Sequence, residues 1–156
     1  MVDMKSAQLA LQPAIYTLLT GDATLVALLA KDVRDGTSPG IFDAVPKNQT
    51  YPYLTIGEFE SDPARTLSRP GEEVVTIINV YSQDNTAGAG NKVLLEVLEE
   101  LNRLLGDVTN LTPSGYDFAA SWYESSNIQK DVDNAQVITR QLVVRYRMLL
   151  HQSLGD

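Results

Sequence analysis

The chain has 156 residues, 44% of them hydrophobic and 21% charged, which suits one globular domain over 1–156 and excludes disordered and fibrous classes. Twelve Lys and Arg against twenty Asp and Glu leave a net charge of −8, spread evenly over both halves, so the surface repels phosphate and disfavours a dedicated nucleic-acid binder. With no cysteine there are no disulfides, thiolate metal sites or cysteine nucleophiles, and the chain fits synthesis in a reducing cytoplasm.

The longest uncharged run, Ser6–Gly21, is too short and too often interrupted to span a bilayer. It is also a poor leader, because Asp3 offsets Lys5 and Gln12-Pro13 breaks the apolar stretch. Leu11, Ala14, Ile15, Leu18 and Leu19 form one helical stripe. Proline is best tolerated in a first turn, so Pro13 predicts a helix start near Leu11 or Gln12, with the stop at Gly21. Asp22 is a natural N-cap for a short helix over Ala23–Ala30. A turn-rich stretch, Asp32–Pro39, then marks the change from helix to strand.

Three β-type runs follow. Gly40–Val45 ends at Pro46 and suits an edge. Tyr53–Phe59 alternates Leu54, Ile56 and Glu58 with Tyr53, Thr55 and Phe59. Val74–Tyr81 is apolar on both faces, so it sits mid-sheet or has one face under helices and the other under a partner. Between the last two, Ser61–Glu72 reads as a long loop carrying Pro63, Pro70, Arg65 and Arg69, and such loops are usually functional or mobile.

The strongest helix signal ends at Leu105, with Leu94, Val97, Leu98, Leu101, Leu104 and Leu105 on one stripe. Glu99 and Arg103 are spaced for an i,i+4 pair, and Gly106 is the natural stop. A hairpin closes the chain. Tyr116–Asn127 sets Phe118, Ala120 and Trp122 against Asp117, Ser121 and Tyr123. Asp131–Asn134 supplies the turn, and Ile138–Leu150 has one clean apolar face. The order predicts an α+β domain: a mostly antiparallel sheet of four to five strands, packed with N-terminal helices and one central amphipathic helix.

Chemistry is sparse. His151, the only histidine, lies five residues from the end of the sequence and reads as a solvated side chain, so no N/S metal cluster and no Ser–His or Cys–His pair on an ordered core is expected, and catalytic, cofactor and metal residues are all expected to be none. Gly88-Ala89-Gly90 lacks the rest of a dinucleotide loop. Glu58 and Glu60 read as solvated charge and not as a paired-carboxylate site. Arg145 and Arg147, two apart, share the strand face opposite the apolar one. That face is either a solvated sheet surface or an interface where arginines meet a neighbour's carboxylates. On the acidic protein's 61–72 loop, Arg65 and Arg69 are expected to contact a partner.

Several strings, in order, resemble the tail completion proteins of long-tailed bacteriophages, a family that includes head–tail joining and tail-terminator subunits. They are Leu11–Tyr16, Asp22–Leu25, Gly40–Pro46, Tyr51–Glu58, Ile77–Ser82, the Leu94–Leu105 helix, and a closing strand with Arg140 and Arg145-Tyr146-Arg147. The resemblance implies a structural virion protein of the neck, made in the host cytoplasm and without enzymatic activity. Its subunits form a homo-oligomeric ring, commonly a hexamer, at the head-proximal end of the tail tube. The ring stops tube growth and docks the head connector or stopper protein, while DNA passes unbound through the lumen and no membrane is involved. A head-completion or stopper subunit is the nearest alternative. A small cytosolic ligand-binding domain, with Tyr51, Tyr53, Tyr81, Trp122 and Tyr123 lining a pocket, is a more distant one.

Overall fold

A computed structural model describes residues 6–64, 70–84, 90–106 and 111–153. Helices α1 (Ala7–Thr20), α2 (Ala23–Leu28) and α3 (Asn91–Leu105) accompany strands β1 (Ile41–Phe42), β2 (Tyr53–Pro63), β3 (Gly71–Gln83), β4 (Tyr116–Val132) and β5 (Ile138–Gln152). The strands form one sheet in the order β1-β2-β3-β5-β4, antiparallel throughout except for the β1–β2 pair. The expected α+β class and mostly antiparallel sheet are what the chain adopts.

The first helix starts earlier than its proline suggested. Ser6 caps it by accepting from the Leu9 amide (3.3 Å), and Pro13 lies inside. Proline removes one backbone hydrogen bond there, but Ala7, Leu11, Ile15 and Leu19 form a fully buried ridge that offsets the loss. Asp22 caps α2 as expected, accepting from the Leu25 amide at 2.9 Å. The first strand is only Ile41–Phe42. Gly40 precedes it at a close approach, where a Cβ would lie 2.3 Å from the Ala30 carbonyl oxygen, and its own carbonyl accepts from the Leu54 amide at 2.8 Å.

The expected 61–72 loop is largely strand. Pairing between β2 and β3 runs on to Pro63↔Glu72, and the Ala64 amide donates to the Gly71 carbonyl at 2.9 Å. The polar Ser61-Asp62 and Glu72-Glu73 lack the apolar alternation that marks a strand, yet backbone pairing carries through them. Arg65 and Arg69 lie outside the described residues.

Bulges correct the predicted faces. The β2 register shifts between Gly57 and Phe59, leaving Glu58 unpaired at φ 55°. One extra residue reverses the alternation, so Phe59 joins Leu54 and Ile56 against the core. Two shifts in β4, between Phe118 and Ala120 and between Tyr123 and Ser125, put Phe118 and Ser121 on the core side and Ala120 and Trp122 on the other. That strand also runs five residues past Asn127, to Val132. Its turn is organised by Asp133, whose carboxylate accepts from the Ala135 and Val137 amides at 2.9 and 3.0 Å.

All three helices bury their apolar residues in one core, against Val74, Ile78 and Val80 of β3 and Leu142, Val144, Tyr146, Met148 and Leu150 of β5. Deep in it, the Tyr146 hydroxyl donates to Asn102 Oδ1 at 2.7 Å, and burial holds its pKa far above the ordinary phenol value. Asn102 therefore serves the core and is not on a solvated face. Leu98, expected on the buried stripe, is only half-buried, while Val93 joins that stripe. Leu101→Ala should therefore cost about 3 kcal/mol and Leu98→Ala about 1 kcal/mol in urea denaturation. Equal losses at the two positions would contradict this orientation of α3.

Candidate assembly surface

The opposite face of the sheet carries its own apolar residues. Val75 and Ile77 are buried (5% and 4% exposed), yet neither belongs to the helix-covered core. In register, Val75 lies between Glu60 and Arg147, and Ile77 lies between Gly57 and Arg145. Arg145 reaches across β3 to Glu60 (3.0 Å) and back to Glu124 (3.3 Å). Arg147 pairs with Glu124 at 2.5 Å and with Glu73. The aliphatic stems of both arginines thus run beside Ile77 and Val75 while their charged ends stay at the surface. Of the two readings of β3, the mid-sheet one holds, and its outer face is roofed by the chain's own ion pairs.

Glu124 is the hub. As the unpaired residue of the β4 bulge it sits between the two arginines, and the Arg147 hydrogen bond, followed by that of Arg145, holds its carboxyl below the ordinary glutamate value. The Arg147 guanidinium is raised correspondingly. Glu58 and Glu60 share no such arrangement, since Glu58 is the β2 bulge residue and Glu60 is the one paired with Arg145.

Two further arginines fix the periphery. Arg140 forms a fork with Asp84 (2.8 and 3.0 Å) and donates to Asn91 Oδ1 at 2.9 Å, joining β5 and the end of β3 to the start of α3. Arg103 pairs with Glu100 and with Asp22 (2.6 Å), not with Glu99, so it links α3 to the cap of α2. The reason is geometric: Asp22 is already held at the N-terminus of α2, and Arg103 satisfies it from the neighbouring helix.

The aromatic residues proposed for a pocket separate into two groups. Tyr53 stacks on Tyr81 (centroids 5.0 Å) and lies 5.3 Å from Tyr51 and 6.2 Å from Phe42. Burial pushes the Tyr53 phenol up to about 12. Trp122 and Tyr123 sit instead on β4, opposite Arg147 and Tyr146, each 41% exposed. An opening of about 580 Å³ lies elsewhere, between α1 and the end of α3, and is lined by Ala14, Leu18, Arg103, Leu104 and Leu111. No helix among the described residues is long and apolar enough to cross a membrane.

Arg145 and Arg147 are therefore brought together, whereas Arg65 and Arg69 fall outside the described residues. Sequence reasoning missed Glu60, Glu73 and Glu124 as their partners. The legible signal was the two-residue spacing of both arginines opposite an acidic β2, but Glu124 depends on a bulge.

The Glu124 pairs make a pH-dependent contribution. Because the folded-state pKa is depressed, that contribution is complete above about pH 4.5, the ordinary glutamate value, and is lost as pH falls through the lowered one. Glu124→Gln should cost about 1 kcal/mol at neutral pH, modest because the pairs are partly exposed. Urea midpoints should converge with the parent's as pH falls through that lowered value, and a penalty that stays unchanged down the acid series would contradict the assignment.

Residues 13–112 match the family model of tail completion protein gp17. Comparison with curated proteins gives no match. Among solved structures, the fold is similar to a chain in the virion of a native gene transfer agent particle, with a TM-score of 0.75 and 23% identity over 95% of this chain and 99% of that one. That likeness establishes a shared fold over nearly the whole chain.

Proposed function

The chain belongs to the tail completion protein gp17 family, and from that premise we propose that it is a structural, non-enzymatic subunit of a phage-type virion, a tail terminator at the neck. Copies form a ring, commonly a hexamer in such proteins. The ring caps the head-proximal end of the tail tube, stops its growth and docks the head connector. The observation that carries this reading is the family match, which runs from α1 through α3, and the virion chain of the same fold supports it.

The chemistry of the chain suits the role. A net charge of −8 favours surfaces that do not grip DNA, so the duplex slides through a lumen without specific binding. The two-faced hydrophobicity of β3 no longer supports a partner, since Arg145 and Arg147 cover it. Those arginines keep about a third of their side chains exposed (32% and 29%), enough for a docking partner's carboxylates to share them. Arg65 and Arg69, between β2 and β3, complete the proposed contact set.

Electron microscopy of particles lacking this protein should show tails of uncontrolled length. Tails of normal length beneath heads that have lost DNA would indicate a stopper and overturn the terminator role. Arg65→Ala with Arg69→Ala should leave folding stability almost unchanged while weakening assembly, most visibly at low salt. Assembly equal to the parent's across a salt series would remove those two residues from the interface.

A further inference from the structure

The sheet has two open edges, and they match. On one side, β1 covers β2 only at Leu54 and Thr55, so the stretch from Ile56 to Pro63 has no further strand beside it among the described residues. On the other side, the end of α3 ties down the first part of β4. Leu105 O accepts from Ser121 Oγ (2.7 Å), and Gly106 O accepts from the Tyr123 amide (3.2 Å). Beyond the bulge, from Ser125 to Val132, β4 pairs among the described residues with β5 alone. The two open stretches are of similar length, since the Glu58 bulge leaves one residue of β2 out of the pairing. An open edge presents unpaired backbone amides and carbonyls that another strand can satisfy.

Direction, face and charge then select the occupant. Within the sheet β4 runs opposite to β2, so rotation about an axis along the strands brings β4 of one copy against β2 of the next in antiparallel orientation. Set flush, with Glu58 again the unpaired bulge residue, the register keeps like faces together. It places Val132 beside Ile56, Gln129 beside Glu60, Ile128 beside Ser61 and Asn127 beside Asp62. Lys130, the one cation on the open part of β4, falls opposite Phe59 and beside the bulged Glu58, and Asp131 falls opposite Gly57. A gap of about 260 Å³ beside Ile56, lined by Gln12, Pro13, Tyr16 and Asp43, leaves space next to the exposed Val132. Pairing β2 with its own copy would instead set Glu58, Glu60 and Asp62 against one another. Two different edges on one subunit make a head-to-tail contact, which closes into a ring and leaves no edge exposed.

We propose that Ser125–Val132 of one copy adds as an antiparallel strand to Ile56–Pro63 of the next, making this backbone pairing the subunit contact of the ring. The inference rests on the ring reading above and adds the surface that forms it.

Because the natural chain has no cysteine, crosslinking is clean. The double variant Asn127→Cys with Asp62→Cys, oxidised at assembling concentration, should give a ladder of covalent oligomers up to the ring size found for the parent by native mass spectrometry. Each single variant should stay uncrosslinked. A covalent dimer from Asn127→Cys alone would mean β4 meets β4 about a two-fold axis and would overturn the proposal. A parent that forms rings while the double variant gives no ladder would overturn the proposal and leave the ring standing. A parent that stays monomeric with and without tail tube would overturn both. A second pair of variants needs no crosslink. Asn127→Glu with Gln129→Glu puts carboxylates opposite Asp62 and Glu60, and should raise the concentration for half-assembly about tenfold at low salt. The corresponding Lys variants should assemble at least as well as the parent. Equal assembly by the Glu and Lys variants would also overturn the proposal.

Discussion

Everything in this fold is arranged around β3, a strand apolar on both faces in a sheet whose helices pack on one side only. The helix side is conventional: Val74, Ile78 and Val80 meet α1 and α3 in the hydrophobic core. The other side has to keep Val75 and Ile77 from water with side chains alone. Long arginines do this well, because a guanidinium can remain hydrated and paired while its stem lies along apolar surface. Placing them on β5, directly beside β3, also lets each find a carboxylate from a different strand. The result ties β2, β3, β5 and β4 together across the surface.

Bulges decide where those carboxylates stand. The shift at Tyr123/Ser125 sets Glu124 outside the regular ladder, between Arg145 and Arg147, where it pairs with both. The shift at Gly57/Phe59 has a double effect. It turns Phe59 into the core and places Glu60 on the outer face in reach of Arg145. Single extra residues thus convert a sheet that alternation would leave half-frustrated into one satisfied on both sides.

Family membership and the virion chain of the same fold point to a structural role. The helix layer stays on one side of the sheet, the ion-pair lattice stiffens the other, and the strands are left with backbone edges as their most directional contact groups.

The sequence by itself determined the element order, the helix stops at Gly21 and Gly106, the Asp22 cap and the single apolar face of β5, because each rests on local periodicity or on a residue with one strong conformational preference; the family resemblance rested separately on the ordered set of short strings. Tertiary structure alone decided that Ser61, Asp62, Glu72 and Glu73 belong to strands, since cross-strand hydrogen bonds override weak local propensity. It likewise decided that Pro13 lies inside α1, where the buried ridge of Leu11, Ile15 and Leu19 outweighs one missing bond. The partners of Arg145 and Arg147 were legible only as a question. A strand pattern of period two carries no mark of where one residue will be skipped, and it was the skips at Glu58 and Glu124 that chose the faces, the ion pairs and the free edges.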